Sequence, residues 1–228
     1  MAKGVDSVTP FAKGVEIMPD GSVVRSGTNY SGKFQEAHDA SKASIQSRIS
    51  NLESGGVKGT GEGPVKVNYG EQYAREKRKK ILKPNVEYTS KEGYTYTTDS
   101  QGRVASCEGS LQLGDGKRNN YAQRVVGGND RLDDDDGGHL IATIFKGSGN
   151  MDNLVPMNSN LNRGEWKKLE NEWANALNDG DKVRVKITPN YSGNSKRPDS
   201  FVIRYKIGDE DRWRLKNFDN VPGGKLDE

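Results

Sequence analysis

One amphipathic segment, at residues 160–178, constrains the fold of this chain more than any other feature. From Trp166 on, its apolar side chains recur at three- and four-residue steps, the spacing of one face of an α-helix, and Asn178-Asp179-Gly180 ends the pattern. A helix with such a stripe must pack it against other elements, so its tryptophans are expected in a core rather than on a base-stacking surface. The stripe consists of Leu161, Trp166, Leu169, Trp173 and Leu177.

Segments with alternating apolar and polar residues surround this helix and predict strands. The alternation at 94–98, the turn Ser100-Gln101-Gly102 and the segment 103–113 together predict a β-hairpin. Residues 182–188 and 201–207 predict two further strands, 140–145 is a short apolar stretch, and 213–218 predicts an edge strand. Because these strands do not alternate regularly with helices, an α+β fold is favoured over a doubly wound sheet.

The first 85 residues differ in character from the rest. Of the 228 residues, 31% are hydrophobic and 28 are glycine; this apolar content is low for one globule, so part of the chain is expected to be loosely structured. Residues 1–32 predict linker or irregular structure, 33–53 predict an amphipathic helix with His38 exposed, and 54–66 predict a flexible tether. We therefore divide the chain into an N-terminal segment at 1–85 and a folded domain at 86–228.

A second helix is predicted at 70–82, and its sequence is strongly basic. Two interpretations of this charge stay open: a solvated basic face, and a surface that binds phosphate or an acidic partner. The whole chain has 35 basic and 32 acidic residues and a formal charge of +3, so a nucleic-acid surface requires local segregation of charge. The basic residues of the segment are Arg75, Lys77, Arg78, Lys79 and Lys80.

Residue counts exclude several classes of site. A single cysteine, Cys107, rules out an intrachain disulfide, and with only two histidines it rules out a Cys/His zinc site. Cys107 itself is expected to be a half-buried strand residue. No run of about 18 apolar residues is present, which excludes a transmembrane helix, and the N-terminus lacks the apolar stretch of a cleaved signal peptide.

His139 lies in an unusual context and is the candidate general base. Four consecutive aspartates, at positions 133–136, precede Gly137-Gly138-His139. Adjacent carboxylates repel one another, so folding must place positive groups near them. The glycine pair permits a sharp turn that places His139 at the entry to a short strand, and an imidazole titrates in the range that general base catalysis requires. A purely structural Gly-Gly-His at a loop–strand junction is the alternative.

The residues that follow make a more specific pattern. Asn153-x-x-Pro156 comes after the histidine, and Leu-Asn-x-Gly-x-Trp-x-x-Leu-Glu occupies 161–170. From about Tyr94 to the C-terminus the chain resembles the DNA/RNA non-specific endonuclease family, a branch of the ββα-metal (His-Me finger) nucleases. The resemblance is greatest to the C-terminal toxin domains of bacterial polymorphic toxins, including those exported by type VII secretion.

This resemblance implies a ββα-metal core with a mixed or antiparallel sheet and flanking helices, preceded by a loosely structured N-terminal helical extension. It implies that His139 is the general base, that Asn162 binds Mg²⁺ (with Mn²⁺ as an alternative ion), and that Asn153 supports the site. Glu170 falls on the family's helix glutamate and is expected to hold a metal-bound water. It lies about 80° around a helix from Asn162, so both can face one cleft.

The chain departs from the family at one position. The common form is Asp-Arg-Gly-His, whereas this sequence has Asp136-Gly137-Gly138-His139. If the arginine's contact with phosphate is retained, another cation must supply it. Four candidates stay open: Arg131 and Arg124 as catalytic residues, and Arg118 and Arg163 as substrate-binding residues.

The resemblance implies a secreted endonuclease that hydrolyses DNA and RNA, acts in a target bacterial cell and is held inactive in the producer's cytoplasm by a cognate immunity protein. Export is expected by type VII secretion, without a cleaved signal in this chain. Two alternatives stay open: a non-catalytic nucleic-acid-binding module, and a secreted nutritional or virulence nuclease that has no dedicated inhibitor.

Overall fold

The computed structural model describes residues 15–17, 23–25, 63–77 and 79–225, and it divides the chain into two compact units, Met1–Gly61 and Glu62–Glu228. In the first unit, β1 (Val15–Ile17) pairs antiparallel with β2 (Val23–Arg25), where linker or irregular structure was expected. Strands of three residues are too short to show a period. The predicted helix at 33–53, with His38, lies outside the described residues.

The second unit is built on a seven-stranded sheet, in the order β13-β12-β11-β8-β7-β6-β3. Its neighbouring strands are antiparallel except β3 and β6, which are parallel, so the predicted α+β class and mixed sheet are confirmed. The strands are β3 (Val65–Lys66), β6 (Val86–Thr89), β7 (Thr95–Thr98), β8 (Val104–Ser110), β11 (Val183–Asn190), β12 (Ser200–Ile207) and β13 (Arg214–Asp219).

Two separate hairpins and three helices complete this unit. The hairpins are β4 (Tyr73–Glu76) with β5 (Lys79–Leu82), and β9 (Asp135–His139) with β10 (Leu154–Asn158). The helices are α1 (Asn120–Val125), α2 (Ser159–Arg163) and α3 (Glu165–Asn178), and short 3₁₀ helices lie at Gly128–Asp130 and Pro222–Gly224. In the part of the chain described here, no helix has the length and apolar character that a membrane span requires.

The apolar stripe of α3 packs on one face of the sheet, as predicted. Trp166 lies edge-on to Phe201 with ring centroids 5.0 Å apart, and Trp173 lies edge-on to Tyr205 at 5.6 Å. Alternate residues of β11 and β12 are buried beneath the helix, so the other face of these strands points away from the core. Cys107 is a β8 strand residue, fully rather than half buried.

The predicted helix at 160–178 is two helices separated at Gly164. This residue has φ −101° and ψ −105°, outside the helical region. A Cβ at Gly164 would lie 2.6 Å from the carbonyl oxygen of Asn160, so only glycine fits this close approach. The break separates the short α2 from α3, and α2 packs against β9 and β10.

The prediction of a helix at 70–82 is wrong. The segment forms the β4–β5 hairpin, with Lys77 in the left-handed region at φ +43°. A long-range anchor explains the difference. The buried carboxylate of Asp152 accepts hydrogen bonds from Tyr69 Oη (3.1 Å) and Gln72 Nε2 (3.2 Å). Tertiary contacts of this kind override the helix propensity of Glu, Arg and Lys. The basic side chains at 75, 77, 79 and 80 are exposed, in agreement with a solvated face.

Gly147 offers a test of this packing. A Cβ there would lie 1.8 Å from the carbonyl oxygen of Ile141, a backbone atom that cannot move without opening the 140–148 loop. We expect Gly147→Ala to lower the free energy of unfolding by about 2–3 kcal/mol, measured by urea denaturation with tryptophan fluorescence. Gly63→Ala is the control, because nothing lies within 4 Å of a Cβ at Gly63; equal stability of the two variants would contradict the packing.

Candidate active site

The candidate site lies on the β9–β10 hairpin, whose strands pair antiparallel with His139 opposite Leu154 and Asp135 opposite Asn158. His139 is the last residue of β9. The prediction that it lies at the entry to a following strand is therefore wrong. Residues 140–145 form a buried, turn-rich loop instead, and their apolar character reflects burial rather than strand pairing.

The imidazole of His139 is poised as a neutral base. Its Nε2 atom is buried and lacks a hydrogen-bond partner among the described residues. Burial, together with the positive charge of Arg118, lowers the pKa of His139 from 6.5 to about 4, because both disfavour the imidazolium. At neutral pH the ring is therefore uncharged and can accept a proton.

Asn153 braces the loop that follows His139. Its Oδ1 accepts hydrogen bonds from the backbone N–H of Ile141 (2.9 Å) and the hydroxyl of Tyr96 (3.1 Å). Its Nδ2 donates to the carbonyl oxygens of Ile141 (2.8 Å) and Ser148 (2.7 Å). These four bonds use the full capacity of the amide, so any support that Asn153 gives to the site passes through the loop.

Asn162 is oriented by a carboxylate of β9. Its Nδ2 donates to Asp136 Oδ2 at 2.9 Å, and the same carboxylate accepts two bonds from Arg163, at 2.9 and 2.7 Å. Burial raises the pKa of Asp136, but the hydrogen bonds from Arg163 and Asn162 outweigh it, so the pKa is lowered and the group stays ionised. With Nδ2 committed to Asp136, the amide oxygen of Asn162 is left to accept a bond or bind a cation.

Asn162 does not cap its helix. Asparagine is a favoured N-cap residue, but Asn158 takes that position, and its Oδ1 accepts from the backbone N–H groups of Asn160 and Leu161. Asn162 lies in the last turn of α2 instead. Its position is therefore not explained by helix capping.

Glu170 is a buried carboxylate on α3, 8% exposed. Lys167 Nζ lies 3.1 Å from its Oε2, so this buried carboxylate has a cationic partner on the same helix. Burial raises the pKa of Glu170, and the positive charges of Lys167 and Arg118 act in the opposite direction. Arg118 acts electrostatically on both Glu170 and His139, so these two groups share one cationic neighbour.

The four arginines considered as substitutes for the missing one have different surroundings. Arg131 donates to the carbonyl oxygens of Gln123 and Asp135, and Arg163 is paired with Asp136. Arg124 is exposed in the last turn of α1. Arg118 is exposed on the loop before α1 and, within residues 63–77 and 79–225, has no hydrogen-bond partner. Arg118 therefore combines a free guanidinium with an electrostatic effect on His139.

The position of the missing arginine is occupied by backbone. A Cβ at Gly137 would lie 2.4 Å from the carbonyl oxygen of Gln123 and 2.5 Å from its Cα. Both atoms belong to α1, which packs directly against β9. The glycine at 137 is thus required by the approach of α1, and a longer side chain has no space there.

A buried ion pair beside the site was not foreseen from the sequence. Arg197 binds Asp135 through two hydrogen bonds, at 2.8 and 2.9 Å, and also donates to the carbonyl oxygen of Asn220. Asn220 in turn accepts from the backbone N–H of Asn158 and donates to the carbonyl oxygen of Pro156. Together these bonds tie both strands of the hairpin to the C-terminal part of the chain. The aspartate run was the sequence signal, since it required positive partners.

No group of three or more His, Cys, Asp or Glu side chains able to hold a metal ion occurs in the described ranges. The amide oxygen of Asn162, which the bond from Nδ2 to Asp136 leaves unpaired, is a ligand that fits a hard cation that keeps most of its own water.

Comparison with known families places this site in a class. The family model described as DNA/RNA non-specific endonuclease matches residues 84–209, more than half of the chain and the whole of the β9–α3 region. A second model, described as nuclease N terminal, matches residues 5–62. The chain therefore belongs to the DNA/RNA non-specific endonuclease family.

Particular relatives include the type VII secretion system protein EssD of Staphylococcus aureus. This chain is 50% identical to EssD of strain USA300 over 153 residues, which cover 64% of this chain and 25% of that protein. EssD of strain NCTC 8325 / PS 47 gives the same values. The chain thus spans about a quarter of the length of these relatives.

Two solved structures are also similar. NucA from Streptococcus agalactiae with magnesium ion bound aligns with a TM-score of 0.49 and 19% identity, over 57% of this chain and 71% of that one. Sda1 nuclease with bound zinc ion aligns with a TM-score of 0.46 and 15% identity, over 57% and 76%. Membership of the family rests on the sequence match.

Restoring the family's arginine tests the contact between Gly137 and α1. We expect Gly137→Arg to lower the free energy of unfolding by at least about 2 kcal/mol, because its Cβ meets backbone, and not to raise nuclease activity. Gly63→Arg adds the same charge where a Cβ is unobstructed. A Gly137→Arg protein that is as stable as the parent and more active would contradict the arrangement.

The low pKa of His139 predicts an acid-tolerant site. Catalysis that needs the neutral imidazole should persist from pH 8 to about pH 5 and fall as the pH drops through about 4. Arg118→Gln removes one cause of the shift, so the acid limb should move to higher pH. The unfolded chain binds this proton near pH 6.5, so the histidine's contribution to stability should fall as the pH drops from about 6.5 to about 4.

Measurement of kcat/KM against pH, together with an NMR titration of the His139 ring, checks the position of the acid limb and its movement in Arg118→Gln. Lys117→Gln is the matched control. It removes a positive charge next to Arg118 in the sequence, and Lys117 is not among the causes of the lowered pKa of His139. Identical profiles for the parent and Arg118→Gln would rule out the electrostatic link.

Proposed function

We propose that this chain is a metal-dependent endonuclease that hydrolyses phosphodiester bonds in DNA and RNA without sequence preference. The observation that carries the proposal is the buried, neutral imidazole of His139, with an unpartnered ring nitrogen, under the electrostatic influence of Arg118, which also acts on Glu170. A neutral imidazole accepts a proton from water, and a nearby guanidinium attracts the phosphodiester. Family membership supports the same reaction.

Asn162 is the proposed metal ligand, and Mg²⁺ is the proposed ion, with Mn²⁺ as an alternative. The hydrogen bond from its Nδ2 to Asp136 fixes the amide and leaves the oxygen for the cation. Mg²⁺ takes few protein ligands because it keeps its own water and binds phosphate oxygens directly. When bound, such an ion supplies positive charge next to the phosphate and the leaving 3′ oxygen.

The side chains then divide the work of hydrolysis. His139 removes the proton from the attacking water, and Arg118 binds a non-bridging phosphate oxygen and stabilises the negative charge that develops in the transition state. Glu170, whose pKa is raised by burial against the opposing charges of Lys167 and Arg118, exchanges hydrogen bonds with ordered water. Asn153 keeps His139 in place through the loop. The products carry 5′ phosphates.

The proposed biological role is that of an antibacterial toxin exported by type VII secretion. Identity with EssD over 153 residues supports export. In this proposal residues 1–85 are the N-terminal pre-toxin and linker segment and 86–228 the endonuclease domain. The enzyme acts in a target bacterial cell, and a cognate immunity protein, of acidic character, covers the basic cleft in the producer's cytoplasm.

Two other functions compete with this one. A non-catalytic nucleic-acid-binding module would bind DNA in a salt-sensitive way without cutting it, and the absence of the family's arginine favours it. A secreted nutritional or virulence nuclease would cut DNA but need no inhibitor. Expression in a bacterial cytoplasm distinguishes the toxin from a nuclease that needs no inhibitor, since a toxin kills the host unless its inhibitor is supplied.

Plasmid degradation tests the proposed roles. We expect His139→Ala to lower the cleavage rate at least about 100-fold, the usual effect of losing a general base. EDTA should abolish cleavage by the parent, and Mg²⁺ should restore it.

The metal ligand is tested by a matched pair of variants. Asn162→Ala removes the amide oxygen and should inactivate the enzyme, whereas Asn162→Gln keeps an amide, with its donor and its oxygen, and should retain part of the activity in Mg²⁺. If the His139→Ala protein cuts plasmid as fast as the parent, the assignment of the base is wrong.

A further inference from the structure

The outer face of the central sheet carries a cluster of cations far from the residues discussed so far. β11 and β12 bury alternate residues beneath α3, and the residues between them point outwards. The register places Arg184 opposite Lys206 and Lys186 opposite Arg204. These four residues form what we call the outer basic face.

This arrangement is electrostatically unfavourable in the free protein. Like charges directly opposite each other on paired strands repel. Lys186 Nζ lies 3.0 Å from Glu108, and Lys206 Nζ donates to the carbonyl oxygen of Asp211. Across residues 63–77 and 79–225, Arg184 and Arg204 have no ion-pair or hydrogen-bond partner. Two carboxylates act on these four cations, Glu108 on Lys186 and Glu210 on Lys206. Because the total formal charge of the chain is only +3, positive charge is concentrated here.

The outer basic face has the shape and the aromatic group of a binding site. Arg184, Lys186 and Arg204 line a groove of about 490 Å³. Trp213 lines the same groove and is 44% exposed, with Lys206 Nζ 5.5 Å from its ring centroid. An exposed indole among cations is the combination that contacts nucleic acid, where the cations meet phosphates and the ring stacks on a base.

The groove is separate from the candidate active site. Glu170 lies on α3, which covers the inner face of the sheet, whereas the four cations lie on the outer face of the same strands. One short segment of nucleic acid cannot occupy both faces. A long polymer, or a second segment of it, can.

We infer that the outer basic face is a second binding site for the nucleic-acid backbone, which holds long substrates on the enzyme while another segment is cut. The inference rests on the proposed nuclease function for its biological meaning. The occupant is a polyanion of regularly spaced phosphates, since charge, not apolar area, dominates the groove: beside the cations, only Trp213 and Leu215 are large exposed hydrophobic residues on these strands and the turn before β13.

Binding is measured with full-length protein carrying His139→Ala, in EDTA, so that cleavage does not interfere. The test variant adds Arg184→Gln and Arg204→Gln, and the control adds Lys66→Gln and Lys196→Gln, which remove the same charge elsewhere on the surface. Each protein is titrated with a long DNA duplex at several salt concentrations. Each phosphate contact contributes about −0.9 to the slope of log K against log salt, so losing two should make the slope shallower by about 1.8.

We expect the test variant to bind long duplex at least about fivefold more weakly than the control. The same two arginine substitutions in an otherwise active enzyme should raise KM for long DNA, while kcat on a duplex of about ten base pairs stays unchanged. Trp213 is the one tryptophan of three that is exposed, so DNA should quench the fluorescence of the parent and not that of a Trp213→Phe protein.

Equal affinities and salt slopes for the test and control variants would overturn the inference. So would loss of binding to an acidic protein partner with DNA affinity unchanged, which would make the groove a protein interface. Failure of the parent enzyme to cut DNA in Mg²⁺ would refute the proposed function instead, and the binding comparison in EDTA would still decide whether this site exists.

Discussion

The buried pair between Asp135 and Arg197 is the interaction on which the candidate site depends most. The β9–β10 hairpin shares no ladder with the seven-stranded sheet, so side chains must hold it. The Asp135 side chain is fully buried, and an unpaired carboxylate there would be strongly destabilising. Two charge-assisted bonds from Arg197, and the link from Arg197 to Asn220, therefore fix β9, which ends at His139, relative to the last strands of the chain.

Each residue of the aspartate run has a separate role, which explains how four adjacent carboxylates are tolerated. Asp135 pairs with Arg197, and Asp136 with Arg163 and Asn162. Asp134 accepts a hydrogen bond from Asn158 Nδ2 at 2.6 Å, and Asp133 is exposed. Because strand residues alternate in direction, successive carboxylates face different partners. The run thus orients the side chains and backbone around β9.

Local pattern predicted much of the fold, and contacts distant in sequence decided the rest. The stripe of α3 and the strands β7, β8, β11, β12 and β13 have periods that a short window reveals. The prediction of a helix at 70–82 was wrong because the conformation of this segment depends on the contact between Gln72 and Asp152, which lie 80 residues apart in the sequence. For the candidate site, a motif in the sequence named His139, Asn162 and Glu170, and their roles remain predictions. Arg197 and Asn220 lie in no motif, and only folding brings them to β9.

The absent arginine and the low pKa of His139 are connected. The approach of α1 fills the space beside Gly137, and Arg131, which donates to the carbonyl oxygens of Gln123 and Asp135, secures that approach. Of the four candidate arginines, Arg118, on a loop, is the one that lowers the pKa of His139.

Because Arg118 affects the pKa of His139, the basicity of the imidazole depends on whether substrate is bound. If Arg118 pairs with a phosphodiester, as proposed, the negative charge of the phosphate offsets the guanidinium, and the imidazole becomes more basic. A base that is weak in the free enzyme thus gains strength when the substrate arrives. An arginine fixed on β9 by two backbone carbonyls, as Arg131 is, could not couple binding to basicity in this way, because its position does not respond to the substrate.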